Sequence, residues 1–414
     1  MHEIIAIVLF AATYAAIALG HIPGLRLDRA GAALAGAAGM LASGALSLEE
    51  AYRAIDLGTI TLLLGMMIVV ADLRLSGLFQ RVSAWAAARA RRPIVLLAAI
   101  VLVSGTFSAF LVNDTVCLVL TPLVCELTRR LDRDPVPYLL GVAMSSNAGS
   151  VATITGNPQN MIIGSLSRIP YRQFTAALAP VAAVALVLTI VLLTVMFREE
   201  FWTGDVLSTT GLLRGESAAS RVFEAGSALD RIFLLRSLVV TLAMLAGFFT
   251  GLPPPGVAIA AGAVMLVTGR FDARKVYAEI DWPLLAMFAG LFIVVAGIDK
   301  IISGQAAGII GALHLDRIPV LSAVSAVLSN IVSNVPAVLV LKPFVEVLSD
   351  PHRAWLALAM SSTLAGNLTL VGSIANLIVA RGAESRGVHI GFRTYLKAGV
   401  PLTILSLLAG VALL

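Results

Sequence analysis

The sequence predicts an all-α polytopic membrane protein with two inverted repeats, each of five membrane-spanning helices plus one re-entrant hairpin, with a broken helix in each repeat. Three observations predict this fold: the composition, apolar segments about as long as a bilayer is thick, and polar motifs that occur twice. Hydrophobic residues make up 59% of the 414 residues and charged residues 13%, whereas a soluble globular chain has about 25% charged residues. The composition therefore excludes an ordinary soluble domain.

The duplicated motifs give the chain its internal organisation. MSSNAGSVATITGNPQNMI starts at Met144, and MSSTLAGNLTLVGSIANLI starts at Met360. Two further pairs precede them in the same order: VNDTVCLVLTPLV (112–124) with SNVPAVLVLKPFV (333–345), and YRAIDLGTITLLLGMMIVVA (52–71) with YAEIDWPLLAMFAGLFIVVA (277–296). In each half a Ser/Thr/Asn/Gly-rich stretch interrupts an apolar helix. Repeats with helix breaks at matching positions are typical of secondary transporters, whose binding site lies where the breaks meet.

Apolar segments of suitable length predict ten membrane spans. They cover 3–20, 29–46, 57–73, 136–166, 174–197, 235–251, 256–269, 282–298, 354–380 and 394–413. Among them, 136–166 and 354–380 are the broken helices. Two other stretches, 94–128 and 318–347, have a polar midpoint between half-length apolar arms, which predicts re-entrant hairpins. The first repeat therefore covers 1–197, a cytoplasmic linker 198–234, and the second repeat 235–414.

The distribution of Lys and Arg predicts the orientation. Arginines flank the first hairpin on both sides, so the positive-inside rule places its base in the cytoplasm. The second hairpin has few basic neighbours and is predicted to open to the outside. Five crossings per repeat invert the second repeat and leave both termini external, in the inner or plasma membrane of the cell. The net charge of +5 reflects these loop arginines, so we expect the lipid bilayer and no nucleic acid as a partner.

Polar residues at the hairpin tips and the helix breaks are the candidate binding residues. They are Asn113, Asp114, Thr115, Ser146, Asn147, Thr155, Gly156, Asn157, Asn160, Ser333, Asn334, Ser362, Thr363, Asn367, Gly372, Ser373 and Asn376. Short hydroxyl and amide side chains, with carbonyls freed by unwinding, can coordinate a small cation or hydrogen-bond an oxyacid. The alternative interpretation is that such small residues only pack helices together. Matched polar clusters in both halves favour binding over packing.

Two charged residues within the predicted hairpins are assigned roles. Asp114 is the one acid that we place deep in the membrane, where an acid is a candidate for proton coupling. Its structural alternative is that it caps the second arm of the hairpin. Lys342 either neutralises a bound anion or pairs with an acid, or else extends toward the membrane surface.

Signals of enzymatic catalysis are absent from the sequence. The five histidines fall in loops or at helix ends without metal-ligand spacing, and no P-loop is present. We therefore predict a protein that is not an enzyme, with no metal and no cofactor, and with H⁺ or Na⁺ as the coupling ion. Cys117 and Cys125 are interpreted as packing residues.

The motifs resemble those of one known family. FLVNDTVCLVLTPLVCEL, SSNAGSVATITGNPQNMIIGSLSRIPYRQF and LSLEEAYRAIDLGTITLLL are similar to the ArsB/NhaD-type branch of the ion transporter superfamily. This branch includes arsenite permeases, the plant silicic-acid efflux transporter and the melanosomal P protein, with the citrate and dicarboxylate–sodium symporters as distant members. The resemblance covers essentially the whole chain and implies a homodimer with an elevator-type alternating-access mechanism. The hairpin tips read Asn-Asp-Thr and Ser-Asn-Val where the symporters have Ser-Asn-Thr, which argues against the symporters' chemistry.

The leading hypothesis is a proton-coupled exporter of a small oxyanion or weak hydroxy acid, such as arsenite or silicic acid. The alternatives are a sodium-coupled importer of a carboxylate or oxyanion, and a sodium/proton antiporter. A membrane enzyme or a structural anchor agrees poorly with the duplication. The sequence leaves open the substrate, the stoichiometry, the direction of transport and the assistance of a partner ATPase.

Overall fold

The computed structural model describes residues 2–20, 27–89, 92–202 and 228–414, and this part of the chain is entirely α-helical apart from turns and two short 3₁₀ segments. The first half contains α1 (His2–Leu19), α2 (Arg29–Ala42), α3 (Leu48–Ala54), α4 (Leu57–Leu75), α5 (Leu78–Arg89), α6 (Pro93–Phe110), α7 (Asn113–Arg130), α8 (Pro135–Ser150), α9 (Pro158–Ser167), α10 (Tyr171–Met196) and α11 (Arg198–Phe201). The second half contains α12 (Ala228–Phe249), α13 (Pro254–Thr268), α14 (Ala273–Tyr277), α15 (Trp282–Leu313), α16 (Ile318–Val332), α17 (Asn334–Glu346), α18 (Pro351–Leu364), α19 (Ile374–Glu384) and α20 (Phe392–Leu413).

Six helices of the described chain are long and apolar enough to cross a membrane. They are Leu57–Leu75, Pro93–Phe110, Tyr171–Met196, Arg231–Phe249, Trp282–Asp299 and Phe392–Leu413. Five of them coincide with predicted spans. The predicted spans at 3–20 and 256–269 form shorter apolar helices, and the predicted span at 29–46 forms a helix that ends at Ala42. The protein is therefore a multi-pass membrane protein.

The two broken helices occupy the centre of the molecule. In the first, α8 ends at Ser150, a 3₁₀ turn covers Ile154–Gly156, and α9 begins at Pro158. In the second, α18 ends at Leu364, a 3₁₀ turn follows directly, and α19 begins at Ile374. Every residue of 137–150 and of 354–364 is buried. A helix that is buried on all sides belongs to the core, so α8 and α18 lead to their breaks through the protein interior. The first break is buried throughout, whereas the second is exposed at Val371.

The predicted hairpins each consist of two helices joined at a polar tip. α6 and α7 meet at Leu111–Val112, while α16 and α17 meet at Ser333, whose φ of 79° is unusual for a residue with a side chain. The two arms contact each other in both cases. One detail differs from the prediction: the first arm of the first hairpin, Pro93–Phe110, has 18 residues and not half a span. The re-entrant course of both hairpins remains a prediction.

Glycines at corresponding positions of the duplicated sequence allow two helix pairs to pack closely. A Cβ on Gly65 of α4 would lie 2.5 Å from the backbone carbon of Ala258 in α13. A Cβ on Gly290 of α15 would lie 2.7 Å from the backbone carbon of Ala33 in α2. Small residues are what permit such close approach of helices in membranes. The α4–α13 and α2–α15 pairs are therefore built in the same way.

A buried ion pair joins α4 to α12, and the sequence analysis did not single it out. Nη2 of Arg236 lies 2.7 Å from both carboxylate oxygens of Asp72, and Ser237 donates a hydrogen bond to Asp72 at 2.6 Å. Asp72 is 2% exposed. Asp114 is therefore not the only acid inside the predicted spans and hairpins. Asp72 is buried with its charge partner, whereas the half-buried Asp114 has no charge partner among the described residues.

The predicted linker at 198–234 lies largely outside the described residues. α11 covers its first four residues, and α12 begins within its last part. The boundaries of the two repeats therefore remain predictions.

Candidate substrate-binding site

Both hairpin tips and both helix breaks meet at one small cavity, here called the tip cavity. Its polar lining consists of Asn113, Asp114, Gln159, Ser333, Asn334 and Ser373, and its volume is about 40 Å³. Because one water needs about 10–15 Å³ of such space, the cavity accommodates only a few water-sized groups. The four polar segments that the sequence analysis selected therefore come together, as it expected from the duplication.

Asparagine side chains hold the unwound backbone of the breaks, and they do so in the same way in both. Nδ2 of Asn160 donates to the carbonyl oxygens of Ser150 and Thr153, at 3.0 Å each. Nδ2 of Asn376 donates to the carbonyl oxygens of Gly366 and Thr369, at 2.7 and 3.2 Å. Asn160 and Asn376 occupy the same position of the duplicated motif. A buried carbonyl without a partner would be costly, so each asparagine stabilises its break.

One amide connects the first broken helix to the second break. Nδ2 of Asn147 donates to Oδ1 of Asn367 and to Oδ1 of Asn376, both at 3.0 Å. Its Oδ1 accepts hydrogen bonds from Ser373 at 3.1 Å and from Asn113 at 3.2 Å. Asn147 is 1% exposed. This residue therefore links the first hairpin tip to the second half of the chain.

The residue aligned with Asn147 makes the reciprocal connection. Thr363 of the second broken helix accepts hydrogen bonds from Asn157 at 3.0 Å and from Gln159 at 3.2 Å, and its hydroxyl lies 3.4 Å from Oδ1 of Asn160. Each broken helix therefore uses the same position to bind the break of the other. This reciprocity gives the site a local two-fold relationship between its halves.

Three oxygen acceptors at the tip cavity have no partner among the described residues. Oδ1 of Asn113 and Oδ1 of Asn334 are buried without a hydrogen bond, although Asn113 is 4% and Asn334 is 9% exposed. The half-buried carboxylate of Asp114 lines the same cavity. Buried polar groups without a partner are uncommon and call for an explanation. A ligand or ion in the tip cavity would provide one.

The remaining predicted residues lie around the cavity and not in its lining. Ser146 accepts a hydrogen bond from the Cys117 thiol at 3.0 Å, and Thr155 is hydrogen-bonded to Tyr171 at 2.9 Å. Ser362 bonds weakly to the carbonyl of its own helix. Gly156 and Gly372 lie within the breaks, and Thr115 follows Asp114 in the first turn of α7.

Lys342 does not line the tip cavity. It lies two helical turns from Asn334 on α17, where its charge acts on Glu346 one turn further along. Its predicted roles, which are neutralising an anion, pairing with an acid or extending toward the membrane surface, remain predictions.

The apolar wall of the cavity was not predicted from the sequence. Leu284, Met287 and Phe288 of α15 complete the lining. They belong to an uninterrupted apolar helix, so no signal in the sequence distinguishes them from lipid-facing or core residues. Gln159, which lies in the GNPQN motif, lines the cavity although it is not among the predicted binding residues.

The described residues also line two larger cavities, here called vestibules. The wide vestibule, of about 770 Å³, is lined by the end of α1, the start of α2, the start of α15 and α19. The narrow vestibule, of about 290 Å³, is lined by the α12–α13 junction, the start of α4 and α9. Aligned residues of the duplication line both: Leu284, Met287 and Leu377 in the wide one, and Thr59, Leu62 and Met161 in the narrow one. Leu284, Met287 and Ile374 also line the tip cavity. The site therefore adjoins the wide vestibule.

Comparison with known proteins identifies the family. Residues 7–351 match the family model CitMHS, which is described as "Citrate transporter", and this match covers most of the chain. The chain belongs to the citrate transporter family. It is thus a secondary transporter of the ion transporter superfamily, and the resemblance drawn from the motifs is confirmed.

Relatives from bacteria, plants and amoebae align over nearly the full length. A "46 kDa membrane protein" of Mycobacterium leprae is 31% identical over 435 residues, which cover 99% of this chain and 98% of the relative. The "Silicon efflux transporter LSI3" of Oryza sativa subsp. japonica is 30% identical, with 95% and 93% covered. The "Putative transporter arsB" of Dictyostelium discoideum is 27% identical, with 94% and 87% covered.

The fold is similar to that of a solved transporter. The structure of the Alcanivorax borkumensis YdaH transporter covers all of this chain, which in turn covers 96% of YdaH, with a TM-score of 0.57 and 15% sequence identity. This likeness concerns the fold alone. It supports the all-helical architecture that the sequence predicts.

Proposed function

We propose that this protein is a proton-coupled exporter of a small oxyanion or weak hydroxy acid, with arsenite and silicic acid as the leading solutes. The observation that carries the proposal is the unpartnered Asp114 carboxylate beside two unpartnered amide oxygens in the tip cavity. A hydroxy acid presents several O–H donors, and amide and carboxylate oxygens are their natural acceptors. Similarity to a silicon efflux transporter and to a putative arsB transporter supports the same class of solute.

The size of the tip cavity favours a small inorganic solute over citrate. About 40 Å³ suffices for roughly three water-sized groups, and a tricarboxylate needs far more room. The family description names citrate. Citrate would bind only after the tips and α15 moved apart.

Asp114 carries the proton in this proposal. Its neighbours with titratable groups are Asp281 at the start of α15 and Cys117 one turn along α7. Protonation of Asp114 removes a negative charge from the cavity, and deprotonation restores it. Solute binding is then coupled to the proton because a charged cavity and a neutral cavity bind the same solute with different affinity. An elevator-type motion of the tips and broken helices, in a homodimer, would carry the site across the membrane.

Replacement of Asp114 by Asn tests the coupling. Purified protein in proteoliposomes is given an imposed pH gradient, and uptake of arsenite and silicic acid is measured for the wild type and for Asp114→Asn. We expect flux driven by the pH gradient to fall at least ten-fold, while the thermal stability of the detergent-solubilised protein stays within a few degrees. Glu126→Gln, which makes the same kind of change at an exposed carboxylate of α7, serves as the matched control. Unchanged pH-driven flux in Asp114→Asn would refute the assignment.

Sodium coupling is the second candidate function. The same unpartnered oxygens of Asn113 and Asn334 are hard ligands of the kind that helix breaks offer to Na⁺ in transporters. In that case solute uptake follows a sodium gradient, and sodium raises the melting temperature of the wild type. Asn334→Ala then abolishes the sodium effect, whereas under proton coupling sodium has no effect in either protein.

A further inference from the structure

Two arginines from different parts of the fold face the wide vestibule. Arg29 is the first residue of α2 and is half-buried, and Arg381 lies in the last turns of α19 and is exposed. Both guanidinium-bearing side chains line this one cavity, and the charge of Arg381 acts on Arg29. Within the described ranges neither arginine forms an ion pair. The pair is therefore available to a ligand.

The acids of the same vestibule are already engaged by helix ends. Oδ1 of Asp28 accepts a hydrogen bond from the backbone N–H of Gly31 at 2.8 Å. Oδ1 of Asp281 accepts one from the backbone N–H of Leu284 at 3.0 Å. The positive ends of α2 and α15 offset these two carboxylates. They therefore compete only weakly for the guanidinium groups.

The arginine pair is not part of the duplicated architecture. In the duplicated motif, Ser165 of the narrow vestibule is aligned with Arg381 of the wide one. The narrow vestibule has Arg168 as its arginine and no second guanidinium in its lining. Aligned helix segments line the two vestibules, but the charged side chains in the two linings differ. A feature that breaks the symmetry of a duplicated framework points to a task specific to one side.

The position of the pair gives it access to the binding site. The wide vestibule and the tip cavity share the lining residues Leu284, Met287 and Ile374. The vestibule that Arg29 and Arg381 line therefore adjoins the tip cavity, where it can serve as the entrance for a solute. Two guanidinium groups present paired N–H donors that match the acidic oxygens of an oxyanion or a carboxylate.

We propose that Arg29 and Arg381 form an anion-binding subsite in the wide vestibule, which concentrates a small oxyanion or carboxylate at the entrance to the tip cavity. The inference rests on the proposed transport function for its meaning and applies to the oxyanions of that proposal. Arsenous acid and silicic acid are largely uncharged at neutral pH, so the pair would concentrate them only as their conjugate anions. An uncharged hydroxy acid gains nothing from the pair. Positive charge in a cleft raises the local concentration of anions by roughly ten-fold or more. Here the two guanidinium groups supply that charge, while the N-termini of α2 and α15 offset the Asp28 and Asp281 carboxylates.

Cysteine modification tests the local enrichment of anions. Val371 lines the wide vestibule and is 59% exposed, while the native Cys117 and Cys125 are buried. In a Val371→Cys background, the rates of reaction with an anionic and with a cationic methanethiosulfonate reagent are measured on the full-length protein. We expect their ratio to fall about ten-fold in Arg29→Gln/Arg381→Gln. Arg29→Lys/Arg381→Lys, which keeps both charges, should retain most of the ratio, and Arg168→Gln should leave it unchanged.

Protection by probe solutes tests binding itself. Inorganic phosphate and silicic acid are both tetrahedral, but only phosphate is charged at neutral pH. Phosphate should slow modification of Val371→Cys, silicic acid should not, and the protection should disappear in Arg29→Gln/Arg381→Gln. An unchanged reagent ratio, or equal protection by both probes, would overturn the subsite. No step of this test measures flux, so its failure leaves the Asp114 assignment standing, and loss of that assignment leaves this result standing.

Discussion

Asn147 shows how a single side chain can join two halves of a transporter. All four hydrogen bonds that its side chain makes with the described residues leave α8, and three of them reach the second broken helix or its break. The network is enclosed by protein, where each hydrogen bond counts for more than in water. The side chain thus fixes the relative position of the first tip and the second break.

Asn147→Ala should destabilise the protein. The substitution leaves Oδ1 of Asn367 and Oδ1 of Asn376 without their donor, and each buried unpaired group costs about 1–3 kcal/mol. We expect a loss of about 2–4 kcal/mol in unfolding free energy, measured as a lower melting temperature of the solubilised protein. Ser145→Ala is the matched control, because that neighbouring hydroxyl makes only one hydrogen bond, at 3.5 Å, within its own helix. Equal melting temperatures for the two variants would contradict this role.

The helices α2, α4, α12, α13 and α15, here called the framework, are held together by close packing and by one buried charge pair. Gly65 and Gly290 set the closeness of the α4–α13 and α2–α15 contacts, and Asp72 with Arg236 ties α4 to α12. In hydrocarbon the hydrophobic effect does not hold helices together, so such contacts take on that task. Both devices lie outside the tip cavity.

Gly65→Ala should be strongly destabilising, because the added Cβ would meet backbone atoms of Ala258 that cannot move aside. Overpacking of this kind costs about 1–3 kcal/mol or more. Gly308→Ala is the control: no heavy atom lies within 4 Å of its added Cβ, and Ala is the better helix former by about 1 kcal/mol. The melting temperature should therefore fall in Gly65→Ala and rise in Gly308→Ala. A Gly65→Ala protein as stable as the wild type would refute the close approach.

Asp72→Ala should also destabilise the framework, since it leaves the charge of Arg236 without its partner. Removal of one partner of a buried pair costs about 3–5 kcal/mol, whereas replacement of both by apolar residues is often neutral. The double variant Asp72→Leu/Arg236→Met should therefore recover most of the stability lost in Asp72→Ala. Glu49→Ala, which breaks the exposed pair with Arg53, should change little. A double variant less stable than Asp72→Ala would contradict this interpretation.

Sequence pattern was sufficient for the parts of the molecule where polar residues interrupt apolar runs. The breaks at 151–157 and 365–373 could be located because Asn, Ser, Thr and Gly are rare inside membrane helices. The wall formed by Leu284, Met287 and Phe288 could not be found, because apolar residues look alike whether they face lipid, core or cavity. The Asp72–Arg236 pair was missed because its members lie far apart in sequence.

At the scale of the whole molecule, the two vestibules share one framework but differ in width and charge. The tip cavity adjoins only the wide one through shared lining residues among those described. Under the predicted orientation, the wide vestibule opens to the cytoplasm and the narrow one to the outside. The structure then corresponds to one end state of an alternating-access cycle.

The sidedness of the vestibules can be measured with single cysteines. Val371→Cys in the wide vestibule should react with a membrane-impermeant thiol reagent only from the cytoplasmic face, and Ser165→Cys in the narrow vestibule only from the external face. Inside-out and right-side-out vesicles separate the two faces. The reverse pattern would show that the predicted orientation is wrong while leaving the fold unchanged.

Solute flux in proteoliposomes tests the central claim most directly. Arsenite and silicic acid are supplied separately, and a pH gradient and a sodium gradient are imposed one at a time. Proton coupling through Asp114 predicts that at least one solute moves with the pH gradient alone, and that this movement is lost in Asp114→Asn. Movement that requires sodium and persists in Asp114→Asn would contradict it and make the oxygens of Asn113 and Asn334 the ion ligands.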